Sequence, residues 1–284
     1  MASLYYVETD TDTRLDDPTF FLAPHLRSAP DILGAEVLLP PPSTTPNRAR
    51  IPQRVYAFVR TWPLNGIASV QEHIDVIDVL MPEWFGVNWN TQKLAQLDES
   101  RQSLLATYLE TKAPDTTVLP VINGFDQGVS FSTPYAIDEF VEQLETLSDD
   151  ISVDGLCLDF RWVQPTAIAD LIELLKHTGE MLAEQDKQSC VVLRLGADYW
   201  PLPEVEELVN TIVFTGFHQP DRGSFPRPIA PHDMFAELAT DALSQIRAST
   251  AVFALGNVGY DWVTGASITQ AHFSEVARLS GLHD

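Results

Sequence analysis

The sequence predicts an α/β fold of the TIM type, a (β/α)8 barrel of which seven βα units are recognisable. Two observations lead there. From residue 54 onward, apolar runs of strand length recur with starts about 21 to 40 residues apart, and amphipathic segments of helical spacing fill the gaps. That alternation is the signature of βαβ units and a parallel sheet. Several runs are also nearly continuous in Val, Ile, Leu and Phe, as strands covered on both faces require. Units of this size and number favour a barrel over an open doubly wound sheet. No G-x-G-x-x-G follows the first of them, which weakens the dinucleotide-binding alternative.

The strands are expected at 54-RVYAFVR-60, 84-WFGVNW-89, 117-TVLPVIN-123, 155-GLCLDF-160, 190-CVVLRL-195, 211-TIVFTGF-217 and 251-AVFALGN-257. Between them, Ser69 and Glu72 form a capping-box signal ahead of Ile74, Ile77 and Leu80. Thr133-Pro134 opens a helix with Ile137, Phe140, Val141 and Leu144 on one stripe, and Pro165 opens another with Ile168, Leu171, Ile172 and Leu175. Ser267 to Gln270 repeats the capping signal. The chain then reads 281-GLHD-284 without an eighth strand, so the barrel is incomplete at its C-terminal end unless the N-terminal arm or another chain closes it. Residues 1–52 are acidic, then proline-rich around 40-PPP-42, and show little periodicity; they read as an arm or linker in which 35-AEVLL-39 could add a strand. Residues 53–284 form the barrel domain.

A net charge of −23 repels phosphate backbones, so nucleic acid is not an expected partner. No stretch reaches the roughly 18 uninterrupted apolar residues of a spanning helix. The first 20 residues have neither the basic nor the apolar region of a secretion signal. The protein is therefore expected inside the cell, or else as a piece of a longer, extracytoplasmic one. Cys157 and Cys190 lie in strand-like apolar runs; buried thiols and a disulfide both remain open. No His/Cys spacing suggests a metal, and no cofactor is expected.

In a parallel barrel the ligand face lies at the C-terminal ends of the strands. There the sequence places Trp62, Asn88, Trp89, Asn123, Asp159, Arg161, Trp162, Tyr199, Trp200, Phe217, His218, Tyr260, Asp261 and Trp262. Five of the six tryptophans thus fall at one end. Indole faces stack on the C–H faces of sugar rings while Asn and Asp satisfy hydroxyls, the composition of a glycan cleft. The same tryptophans could instead plug the barrel top.

The segments 54-RVYAFVRTW-62, 70-VQEHIDVIDVLMPEW-84, 118-VLPVING-124, 154-DGLCLDFRW-162, 226-PRPIAP-231 and 254-ALGNVGYDW-262 together resemble the family 18 glycoside hydrolase barrels, the chitinases and their relatives. More narrowly, they resemble the barrel domain that large bacterial polysaccharide proteins carry beside a deacetylase and a glycosyltransferase. The resemblance implies a chitinase-like barrel acting on an N-acetylglucosamine-type polysaccharide, with deacetylase and glycosyltransferase modules as partners. The family motif D-G-x-D-x-D-x-E ends in the general acid, and its last Asp orients the substrate's N-acetyl group, which attacks the anomeric carbon itself. Here Asp154 and Gly155 match as the structural start of the motif. Cys157 replaces the middle Asp, Asp159 is retained, and Arg161 replaces the acid. Phe217 and His218 stand where the family has Tyr and Asp.

Arginine keeps its proton in proteins. It cannot act as a general acid, and a fixed cation opposes a positive, oxocarbenium-like transition state. Arg161 is expected to pair with Asp159. The reading is a catalytically degenerate barrel that binds or scaffolds the polysaccharide. The alternatives are an active glycosidase whose acid has moved, with Asp126, Asp198, Asp261 or His218 as candidates, and a structural module without ligand.

Overall fold

The computed structural model describes residues 2–7, 54–60, 64–89, 91–125, 131, 134–217, 228–256, 258–262 and 268–272. The expected strand at 35–39 lies outside them. Eight strand positions pair in parallel around a ring. They are β1 (Ala2–Val7), β2 (Val55–Arg60), β3 (Val79–Asn88), the short pair β5 (Thr117–Val118) and β6 (Val121–Asn123), β7 (Gly155–Asp159), β8 (Gln188–Arg194), β9 (Thr211–Thr215) and β10 (Ala251–Gly256). Leu119 and Pro120 separate β5 from β6. A proline cannot donate to a ladder, which accounts for the break.

The TIM-type fold class is therefore observed, with the seven expected units in order. The eighth place is taken by β1, which pairs with β10 through Ala2–Val252 to Tyr6–Gly256 and with β2 through Ser3–Val55 to Val7–Val59. The N-terminal segment is thus the closure, one of the two that the sequence leaves open. Among the described residues, no strand after β10 joins the ring. β11 (Val258–Trp262) and β12 (Ile268–His272) form a separate antiparallel hairpin.

Helices α1 (Leu64–His73), α2 (Glu99–Lys112), α3 (Pro134–Asp150), α4 (Ile168–Glu184), α5 (Leu202–Leu208) and α6 (His232–Gln245) connect the strands. A short strand, β4 (Lys93–Gln96), runs antiparallel to the end of β3. Apolar side chains divide into two sets, as strands buried on both faces demand. The outward set, including Val59, Leu80, Ile122, Leu158, Val191 and Ile212, packs against helix stripes such as Ile137, Phe140 and Leu144 of α3 and Leu171, Leu174 and Leu175 of α4. The inward set fills the barrel with Tyr56, Phe58, Val79, Met81, Leu119, Val121, Cys157, Cys190, Val192, Val213, Val252 and Ala254.

Three local expectations are corrected. Ser69 is buried inside α1 rather than capping it, because Ile67 and Val70 place the apolar stripe one turn earlier. Leu80 belongs to β3, which starts at Val79 and not at Trp84. The residues after Ser267 form β12, not a helix. The helices opened by Pro134 and Pro165 stand, the latter through a 3-10 turn at Pro165–Ala167.

The strands are pinned at their N-terminal ends by one repeated device. Asp78, Asp154 and Asn210 each precede a strand, and each side-chain oxygen accepts the first free N–H of the neighbouring strand. Val55 N donates to Asp78 Oδ2 at 2.6 Å, Val118 N to Asp154 Oδ2 at 2.7 Å and Ser189 N to Asn210 Oδ1 at 2.7 Å. Asp154 is thus a structural anchor at the end of the barrel opposite the mouth.

Candidate active-site cleft at the barrel mouth

Because side chains alternate along a strand, the inward series continue past the apolar layers to the C-terminal mouth. Tyr56 and Phe58 lead to Arg60 on β2, and Val79 and Met81 lead to Glu83 on β3. Leu119 and Val121 lead to Asn123 on β6, and Cys157 leads to Asp159 on β7, with Arg161 just beyond. These polar residues, with Gly124, Phe125 and Trp162, line a cleft of about 260 Å³.

Arg161 grips Asp159. Its Nε donates to Oδ1 at 2.9 Å and Oδ2 at 3.0 Å, its Nη2 donates to Oδ2 at 2.6 Å, and its backbone N donates to Oδ1 at 3.1 Å. Both residues are buried, and the guanidinium lies 5.6 Å from the centre of the Phe58 ring. The expected ion pair is present, in the bidentate form that gives arginine its specificity for carboxylates.

Glu83 is the site residue that sequence reasoning missed. It is 3% exposed. Arg60 Nε donates to Oε2 at 3.2 Å and Asn123 Nδ2 donates to Oε1. Burial pushes its carboxyl above the usual carboxylate range and Asp159 adds to this, against the opposing pull of Arg60, Asn123 and Arg161. The signal was available: extending the strand back to Val79 sets 79, 81 and 83 on one face. The register then shifts between Glu83 and Phe85, which hid the pattern by bringing Trp84 and Phe85 both into the outer core.

Of the expected residues, the cleft brings together Asn123, Asp159, Arg161 and Trp162, whose indole is 40% exposed at the rim. Trp89 is occupied elsewhere. Its Nε1 donates to Gly124 O at 2.7 Å and its ring packs on Phe125, Phe131 and Phe140. Trp200 is buried and stacks on Phe160 at 5.9 Å; it lines a second cavity of about 200 Å³ with Asp198 and Asp241. Tyr199 donates its hydroxyl to Val163 O at 3.3 Å. Asn88 is exposed, and Phe217 packs against the barrel interior. Tyr260, Asp261 and Trp262 lie on β11; Trp62, His218 and Asp126 lie outside the described residues.

Neither a sequence-family profile nor a curated protein sequence matches the chain. Solved structures do. A chitinase from Chromobacterium violaceum superposes with a TM-score of 0.70 at 13% identity over 80% of this chain and 75% of its own. The barrel has the chitinase fold. A class V chitinase of Pseudomonas fluorescens matches with a TM-score of 0.68 at 17% identity, covering 80% of this chain and 75% of its own. The spore cortex-lytic enzyme SleL of Bacillus cereus matches at 0.67 and 13% identity, covering 80% of this chain and 57% of that one. At such identities the likeness fixes the chitinase-like, family 18 architecture and leaves chemistry to the residues of the cleft.

Proposed function

We propose that the mouth of this chitinase-like barrel is a holding cleft for an N-acetylglucosamine-type polysaccharide, not a hydrolytic one. The observation that carries the reading is the Asp159–Arg161 pair. A guanidinium occupies the motif position of the acid, and it engages both oxygens of the carboxylate that would orient the N-acetyl group. General acid catalysis is worth about 10²–10⁴-fold, so its loss alone would nearly silence turnover. Exposed Trp162 supplies a stacking face at the rim and the polar lining supplies hydroxyl partners. Isothermal titration with chitooligosaccharides tests the reading. Binding without cleavage is expected; absence of heat at millimolar ligand would leave a structural module in its place.

A second reading, a glycosidase with a relocated acid, has one observation in its favour: Glu83 is a buried carboxyl in the same cleft with its proton affinity raised. Asp198, an earlier candidate, is exposed and lines the other cavity. Turnover of chitooligosaccharides by the wild-type chain would establish this second reading. Gain of turnover only in Arg161→Glu would support the first and show the rest of the cleft to be competent.

The setting follows the same resemblance, with deacetylase and glycosyltransferase modules as partners, testable by co-purification. Cys157 and Cys190 form a disulfide between β7 and β8 inside the barrel. Disulfides persist in oxidising compartments, which supports an extracytoplasmic location. Among the described residues, no helix is long and apolar enough to cross a membrane.

A further inference from the structure

A carboxylate offers about four lone-pair sites to donors. Arg161 engages both oxygens of Asp159: the backbone N–H goes to Oδ1, Nη2 goes to Oδ2, and the single Nε–H is shared between them. The carboxylate that the family resemblance assigns to the N-acetyl group is therefore turned toward its own neighbour by three donors, with little acceptor capacity to give a ligand. Glu83 differs. Among the described residues it receives one donor on each oxygen, Asn123 Nδ2 on Oε1 and Arg60 Nε on Oε2. One site on each oxygen is left over, in a wall of the same cleft.

We propose that Glu83 is the acceptor for the sugar's acetamido N–H at the barrel mouth, the part that the family resemblance assigns to Asp159. The proposal rests on the glycan reading above and names the residue that reads the ligand. The geometry favours this placement. Glu83 is held from two sides by β2 and β6, so its carboxylate is oriented before ligand arrives, which is what a specificity-determining group requires. A buried carboxylate with unfilled sites is costly, and an arriving N–H completes its shell. Burial is what raises the proton affinity of Glu83, with Asp159 adding to it.

The charged groups that face Glu83 are Arg60 from β2, Asp159 at the end of β7 and Arg161 just beyond it. The arginines keep their protons over the working range. An ionised carboxylate accepts an N–H more strongly than the neutral acid does, so affinity should fall as pH drops through the raised Glu83 range.

The experiment is calorimetric titration of chitooligosaccharides into wild type and Glu83→Gln between acid and neutral pH, with cello-oligosaccharides as the ligand lacking the acetamido group. A hydrogen bond to a charged group is worth about 1.5–3 kcal/mol and a neutral one about 0.5–1.5, and Gln keeps a neutral acceptor, so Glu83→Gln should bind about five- to tenfold more weakly at neutral pH. It should also lose the acid-side decline of the wild type, while keeping its thermal transition. A merely structural Glu83 would not flatten the pH profile. The loss should be smaller for cello-oligosaccharides, which present a C2 hydroxyl and no acetamido group. Wild-type binding that Glu83→Gln leaves unchanged overturns the role of Glu83 and spares the glycan reading. Wild type that binds no chitooligosaccharide sinks that reading and the role together.

Discussion

With the Arg161 guanidinium removed, Asp159 would keep its place in the mouth while losing three of the four contacts to its oxygens. Asp159 is 7% exposed and Arg161 8% exposed, so water cannot replace the cation cheaply. Breaking a buried pair from one side typically costs about 3–5 kcal/mol, because a charge is left without compensation. Arg161→Ala should therefore lower stability by about that amount in urea unfolding, and Arg161→Ala/Asp159→Ala should recover much of it. If Arg161→Ala costs under about 1 kcal/mol, the pair is not a fixed element of the mouth and the holding-cleft reading loses its basis. The residue scale also shows why sequence reasoning reached this pair: Asp159 and Arg161 are two apart on one strand end, so alternation alone puts them on one face. Glu83 lies on a different strand, and no local spacing relates it to either.

At the scale of the strand, Gly155 sets the approach of β7 to β8. It pairs with Gln188, and a Cβ built on it would lie 1.9 Å from the Gln188 carbonyl oxygen, a backbone atom with no room to retreat. Gly155→Ala should destabilise by roughly 1–3 kcal/mol, the range of a forced backbone shift in a packed core, or prevent folding. An unchanged melting temperature would mean that β7 and β8 are not in this register. The Asp-Gly start of the motif is thus explained by structure at both positions, since Asp154 pins β5 and Gly155 admits β8. The strands and most helices were legible because their apolar runs are long and bounded by Pro or polar residues, as at 190–195 and Pro134. β3 was misread for a physical reason. Its ten residues are buried except for the last, so no alternation survives to mark its start, and Pro82 within it looks like a terminator. The pairing of Cys157 with Cys190 was left open because it depends on register, which the sequence of either strand alone does not contain.

For the whole molecule, closure depends on the strand with the least local signal. Without β1, β10 and β2 would both become edges of the parallel ring, with their N–H and C=O groups on that side unpaired. Such edges recruit other strands. The connection from β1 to β2 passes through residues 8–54, longer than the links between the other units, and the contribution of β1 rests on its pairing on both sides. Deleting residues 2–7 should therefore lower the melting temperature, broaden the transition and shift the chain toward oligomers in size-exclusion chromatography. A synthetic peptide of sequence ASLYYV added in trans should restore the monomer in part, as strand addition does in other open sheets. The cleft gives this prediction a second readout. Arg60 ends the strand that β1 pairs with and also holds Glu83, so loss of β1 should weaken chitooligosaccharide binding as well as stability. A deletion variant that melts, migrates and binds like the intact chain would show that the ring closes by some other means and that the N-terminal segment is not its eighth strand.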